Sequence, residues 1–374
     1  VLNSSGSKTY DANTDALAGA ITLSNLVSGE ALNHSGTATI SSANAGSYTI
    51  TNLSGISIAD GSGGTASNYT LTGGTHNFTV NRRAVSVSGT RLYDATTNAV
   101  ASDLSTHANL VGSETLNLSG TGTIASKNVG SNKTVSVGTL ALADGSNGGL
   151  AANYTLSGGT HQLTVNQRPL NATLARQYDG TTTAAGSDLS SFDALQGGET
   201  LTMTGSGTAA SANVANGIAM SSNGTLALAD GTGLASNYSL NSTVINIAQR
   251  VLNSSGSKTY DANTDALAGA ITLSNLVSGE ALNHSGTATI SSANAGSYTI
   301  TNLSGISIAD GSGGTASNYT LTGGTHNFTV NRRAVSVSGT RLYDATTNAV
   351  ASDLSTHANL VGSETLNLSG TGTI

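Results

Sequence analysis

The 374-residue chain carries 13 Lys plus Arg against 20 Asp plus Glu, a net charge of −7, with 47 glycines, one proline, no tryptophan and no cysteine. The missing cysteines rule out disulfides, zinc–thiolate sites and a cysteine nucleophile; the sparse basic charge gives no footprint for nucleic acid; and no stretch reaches the roughly 18 apolar residues that span a bilayer. Only 9% of residues are charged and 37% are hydrophobic, but the apolar positions are periodic and rich in Thr, Val, Ile and Tyr, which points to strands and tight turns rather than disorder.

In chain order, a polar strand ends at Tyr10-Asp11, and that pair returns as Tyr93-Asp94, Tyr178-Asp179, Tyr260-Asp261 and Tyr343-Asp344, about 83 residues apart. A second marker follows that pair within each full copy: Asn68-Tyr69, Asn153-Tyr154, Asn237-Tyr238 and Asn318-Tyr319. Self-similarity at a fixed period defines a repeat protein. The repeats run 1–83, 84–168, 169–250 and 251–333, with a partial copy at 334–374. Residues 251–374 copy residues 1–124 letter for letter, so the informative comparison is among the three divergent copies. Stopping inside a copy is what an excerpt of a longer array would do.

Within a repeat, Lys8, Arg91 and Arg176 stand two residues before the tyrosine, on the same strand face, where a cation can pack on the ring. A glycine turn then leads to Glu30, Glu114, Glu199, Glu280 and Glu364. We read this glutamate as an acceptor for backbone N–H groups at the turn, since no second carboxylate or histidine recurs beside it. Alternating strands follow around Thr37-Ala38-Thr39-Ile40, Tyr48, Ile50, Ile56 and Ile58, and an Ala-Asp-Gly turn whose Asp60 accepts backbone bonds. Phe78 and Val80 end the copy. Seven or eight short strands at this spacing predict a small antiparallel sandwich. Arg83, Arg168, Arg250 and Arg333 close the copies, and strand runs into strand with no flexible linker. The apolar parity shift between Val80 and Val85 predicts a bulge or twist there, where Pro169 is also tolerated.

The competing chemistries find little. Histidines 34, 76, 107 and 161 fall in no Ser/His/Asp order, and neither H-E-x-x-H nor a phosphate loop is present, so we expect no enzyme, no cofactor and no metal. Calcium needs several converging oxygens, and each copy has few carboxylates. Sequons at Asn33, Asn52, Asn68, Asn117 and Asn153 are common by chance in such a composition. A repeated carbohydrate-binding module, with polysaccharide as partner, would need exposed aromatics, and Tyr48 is the residue to test for it.

These motifs resemble the YDG-type repeat domains (the wider YDG/MBG group) of large bacterial surface adhesins and haemagglutinins. Tyr178-Asp179-Gly180, Asn128-Val129-Gly130 and Pro169-Leu170 keep the family pattern, while Ala12 and Ala95 replace the glycine and Asn213-Val214-Ala215 departs from the middle motif. The resemblance implies a secreted or cell-surface protein of a diderm bacterium, working in adhesion, cell–cell contact or biofilm matrix. It names no ligand. The resulting expectation is an all-β rod of tandem immunoglobulin-like sandwiches, with a β-helix as the alternative. Its marker residues would be structural: Tyr10, Asp11, Tyr93, Asp94, Tyr178, Asp179, Tyr260 and Asp261, the second tyrosines 69, 154, 238 and 319, and Arg83, Arg168 and Arg250. The expected partners are other copies of itself or neighbouring surface components.

Overall fold

A computed structural model describes residues 1–374, and its regular elements are strands and single turns of 3-10 helix. The fold is all-β. In the first repeat the strands are β1 (Asn3–Thr9), β2 (Asp15–Leu17), β3 (Ile21–Ser24), β4 (Leu32–Ile40), β5 (Gly46–Asn52), β6 (Ile56–Asp60) and β7 (His76–Asn81). They form one sheet in the order β2-β4-β5-β7-β1-β3, with β6 also on β4.

Most pairs are antiparallel, but β1 runs parallel to β7, with Gly6 opposite Phe78 and Lys8 opposite Val80. The same parallel pair recurs between Ser86–Leu92 and Gln162–Asn166, and between Asn253–Thr259 and His326–Asn331. The wholly antiparallel expectation is corrected here. Each copy brings its first strand beside its last, and a parallel pair needs the long crossover that the intervening strands provide.

Alternation drives the packing. In β7 the side chains of His76, Phe78 and Val80 are buried while Asn77 and Asn81 face solvent, the period-two pattern of a half-buried strand. Phe78 lies across from Gly6, where a Cβ would meet the ring at 2.8 Å and the Ala20 carbonyl at 2.3 Å, so glycine is required for the ring to sit on the sheet. Ala16, Ile21, Ala38, Ile40, Ile50 and Val80 complete the core, and the fourth repeat buries the identical set.

Strand β4 bends at Gly36, which has φ of +97° and lies against the Gly55 carbonyl. Leu32 to Gly36 pair with β6, whereas Thr37 to Ile40 turn onto β2 and β5. In the second copy the equivalent Gly120 splits the strand in two.

The chain divides into two compact units. The first holds residues 1–170 with 194–201 and 228–241; the second holds 171–193, 202–227 and 242–374. In the second unit the third repeat sets Ala172 opposite Phe192, Thr183 opposite Thr208 and Ala215 opposite Ile247.

One core position differs chemically between copies. His76 shares a hydrogen bond with Ser4 Oγ at 2.9 Å, and His161 Nδ1 accepts the Val87 N–H at 3.3 Å. The third copy has Thr243 there, 5% exposed with an unpartnered hydroxyl. Thr243→Val keeps the shape and removes the orphan, so it should raise stability by about 1 kcal/mol in chemical denaturation.

Candidate functional site: the repeat junction

At the junctions the chain passes from one copy to the next without slack. Strand β7 ends at Asn81, Arg82 stands alone, and the two-residue strand β8 (Arg83–Ala84) pairs in parallel with Tyr154–Thr155. The strand run is interrupted at Arg82 and again at Val85, and the apolar parity shifts across these breaks. Arg250–Val251 pairs in the same way with Tyr319–Thr320.

The tyrosines of both markers meet here. Tyr10 Oη donates to Glu114 Oε1 at 2.7 Å, and Tyr154 Oη donates to Glu114 Oε2 at 2.6 Å. One carboxylate from the turn of the second repeat thus bridges the end of β1 in the first repeat to the Asn-Tyr turn of the second. The two rings pack edge to face, 5.3 Å apart at 78°, an arrangement aromatic pairs prefer. The Val111 N–H donates to Tyr154 Oη at 3.0 Å, fixing the phenol from behind.

The second junction repeats this. Tyr93 donates to Glu199 Oε1 at 2.7 Å and Tyr238 to Oε2 at 2.8 Å, with rings 5.3 Å apart. In the second compact unit, Tyr178 and Tyr319 each donate to Glu280 at 2.6 Å, with rings 5.4 Å apart. Tyr260 donates to Glu364 of the partial copy. The recurring glutamate is therefore the hub of an interface and not a turn acceptor for backbone N–H groups. Its register with the two tyrosines, the same to within one residue in every copy, is visible in the sequence, but the partners on Glu114 lie far apart in the chain and no local spacing pairs them.

A buried amide flanks each cluster. Asn153, fully buried, accepts the Ala45 N–H at 2.8 Å and donates to Asn44 Oδ1 at 3.0 Å. Asn237 does this with Asn128 and Val129, and Asn318 with Asn213 and Val214. The three sequons Asn-Tyr-Thr or Asn-Tyr-Ser that sit in junctions are therefore sealed.

The junction arginine is the third anchor. Arg83 donates through Nε to the Asn109 carbonyl at 2.8 Å, through Nη2 to Asn109 Oδ1 at 2.9 Å and through Nη1 to the Tyr10 carbonyl at 3.3 Å. Arg250 makes the same set with Asn275 and Tyr178. Asn109 and Asn275 hold φ of +71° and +69°, a conformation asparagine tolerates. The third copy has Ala194 at that position, and Arg168 keeps only its 2.7 Å bond to the Tyr93 carbonyl.

The aspartates of the marker pair do local work. Asp94 and Asp179 each accept an N–H two residues on, at 2.9 Å. The residue between them sits in the left-handed region: Ala12 at φ +59°, Ala95 at +63° and Gly180 at +77°. Glycine is the unstrained choice there. The preceding cation pairs with the aspartate instead of stacking on the ring: Lys8 Nζ is 2.9 Å from Asp11, and Arg91 and Arg176 pair with Asp94 and Asp179. The cation that does lie over a ring is Lys127, 5.9 Å above Tyr93 and 2.6 Å from Glu199.

The electrostatics follow from this packing. Burial, reinforced by donation to a carboxylate, pushes Tyr10, Tyr154, Tyr238 and Tyr319 up to about 12. Burial alone would raise Glu199, but the bonds from Lys127, Tyr93 and Tyr238 outweigh it and hold the carboxyl below its usual range. A phenol whose folded pKa is raised stabilises fully below the unfolded value near 10, and that contribution is lost as pH rises toward about 12. Alkaline titration followed by tyrosinate absorbance should therefore show a late wave coincident with loss of folded signal. In denaturant the tyrosines should collapse into one wave near 10. A single wave near 10 for the folded chain would refute the buried clusters.

No three His, Asp or Glu side chains converge as a metal site would require. Tyr48 is not a free aromatic platform: it is half-buried, its hydroxyl donates to the Asn44 carbonyl at 2.8 Å, and its phenol end covers Gly46. Asp60, Asp144 and Asp310 each accept an N–H at 2.7 Å inside their turns.

The YDG domain model matches four times in tandem, at residues 2–77, 75–163, 161–245 and 248–327. The chain belongs to the YDG domain family. No curated protein matches its sequence. Among solved structures, the Bacillus anthracis TIE protein is similar at 8% identity and a TM-score of 0.18, over 86% of this chain and 65% of that one. The chain thus spans about two thirds of that protein's length, and so distant a likeness carries no argument.

Proposed function

We propose that these YDG repeats form the structural stalk or extracellular filament region of a secreted bacterial surface adhesin, acting in adhesion, cell–cell contact or biofilm matrix on a diderm bacterium. The observation that carries this reading is the junction. The four complete copies are joined, each to the next, by the same carboxylate, ring pair and buried amide, with strand running into strand. Such a device resists reorientation, which a binding module strung out for avidity does not need and a load-bearing array does. We further propose that each copy is an immunoglobulin-like sandwich. Pairing between first and last strands of one copy supports this over a β-helix, whose strands would pair from coil to coil.

The reading makes an expectation for negative-stain electron microscopy. Straight, thin particles with a repeat of roughly 35–40 Å, the length of a ten-residue strand plus turns, support it. Kinked beads of the same size in the unmodified chain would overturn the stalk. Smooth particles without that period would overturn the sandwich.

A further inference from the structure

We propose that the paired tyrosines of each junction between complete copies are an oxidative coupling site, where hydrogen peroxide activated by a haem centre joins the two rings through a carbon–carbon bond. The geometry occurs three times. Tyr10 faces Tyr154 and Tyr93 faces Tyr238 at 5.3 Å between ring centroids, and Tyr178 faces Tyr319 at 5.4 Å. In each pair the two hydroxyls donate to opposite oxygens of one carboxylate, on Glu114, Glu199 or Glu280. Two phenols anchored on one carboxylate bring their hydroxyl ends together. With them come the ring carbons beside the oxygens, where a phenoxyl radical couples.

The carboxylate also serves the chemistry. A phenol that loses an electron becomes strongly acidic, and its proton passes along the existing hydrogen bond to the glutamate, which hands it to solvent. Once both rings are oxidised, the radicals combine at the carbons beside the oxygens. The hydrogen on each joined carbon then moves to its oxygen and restores the phenol. Two electrons and two protons leave in all, and with them one hydrogen peroxide becomes two waters. The surroundings steer the radicals to this outcome. Tyr10 and Tyr154 are 3% and 2% exposed, so the ring that a radical meets is its partner. Their bonds to Glu114 are only part-buried, so the electron leaves across a thin layer of protein. The chain has no cysteine, no tryptophan and only two methionines, which leaves few competing sinks for oxidation. The links interleave, 10 to 154, 93 to 238 and 178 to 319, so every residue from Tyr10 to Tyr319 falls inside a closed loop and the unfolded chain loses freedom. The inference rests on the junction geometry and stands apart from the adhesin reading.

The test treats the whole chain, at low concentration, with a haem peptide and hydrogen peroxide. Peptide mass spectrometry of the monomer should find the three junction pairs linked, each lighter by two hydrogens, with the matching dityrosine fluorescence. Tyr343, 94% exposed, and Tyr48, whose hydroxyl donates to the Asn44 carbonyl, are the controls. Tyr154→Phe keeps the ring and removes one phenol, so it should abolish the first link while the other two persist and report a folded chain. Glu114→Gln removes the proton acceptor and should cut the first link severalfold relative to the others. Coupling that falls on Tyr343 and Tyr48 instead of the junction pairs would overturn the proposal. Equal yields from the chain unfolded in denaturant, or a first link indifferent to Glu114→Gln, would overturn it as well.

Discussion

Glu199→Ala should lower the stability of the second junction by about 3–5 kcal/mol, the cost of breaking a buried charged network and leaving its partners unsatisfied. Three donors converge on this side chain: Tyr93, Tyr238 and Lys127. The carboxylate's side chain is 8% exposed while that of Lys127 is 42% exposed. Removing the acceptor strands two buried phenols, and the ammonium can retreat into water, so the tyrosines carry most of the loss. Hydrogen exchange at Val129 and Gln196, whose N–H groups donate to Asn237 and Tyr238, is the local readout. Both should exchange markedly faster in the variant while amides in the sheet of the first repeat stay protected. Glu199→Gln should recover part of the loss, because the amide oxygen still accepts one phenol. Unchanged exchange at both amides would mean that the cluster does not couple the copies. Acid has a related effect. The depressed Glu199 carboxyl stabilises above the usual glutamate pKa, and that contribution is lost as pH falls through the lower folded value.

Much of this architecture was legible in the text, and the reasons are local. Period-two alternation in His76-Asn77-Phe78-Thr79-Val80 announces a half-buried strand, and the structure buries the even positions. The glycines ahead of Glu30, Glu114 and Glu199 announce turns, and Gly29, Gly112 and Gly198 all have positive φ. Return of the Tyr-Asp pair announces the repeat itself, which the family matches bear out.

What escaped was non-local. The parallel pairing of first and last strands leaves no signature in either strand, since periodicity reports a face and not a neighbour. Lys8 and Tyr10 share a strand face, but a flexible ammonium gains more from Asp11 at 2.9 Å than from a ring already filled by its partner tyrosine. The glutamate recurs in every copy, but its place beside a glycine turn points to the wrong partners. A carboxylate at a turn has backbone donors at hand, whereas its actual donors arrive from a neighbouring repeat and from the far end of its own.

Tyr319→Ala and Tyr69→Ala make the last point quantitative, because they alter the same letter in two identical texts. Tyr319 is 1% exposed, packed on Tyr178 and bonded to Glu280. Its removal deletes a large aromatic from a filled interface, opens a cavity and leaves the Tyr178 ring without its edge-to-face partner. A loss of about 3–5 kcal/mol is the usual scale for a buried aromatic. Tyr69 keeps the bond to Glu30 but has no ring against it and stays half-buried, so its removal should cost about 1 kcal/mol or less, the range of an exposed hydrogen bond. Chemical denaturation of the two variants side by side measures the difference, and intrinsic strand propensity cancels because the flanking residues are the same. A large gap places the energy of this tyrosine in the contact between repeats. Equal losses would place it inside the single repeat, and the junction would then be a consequence of folding rather than the contact that couples successive copies.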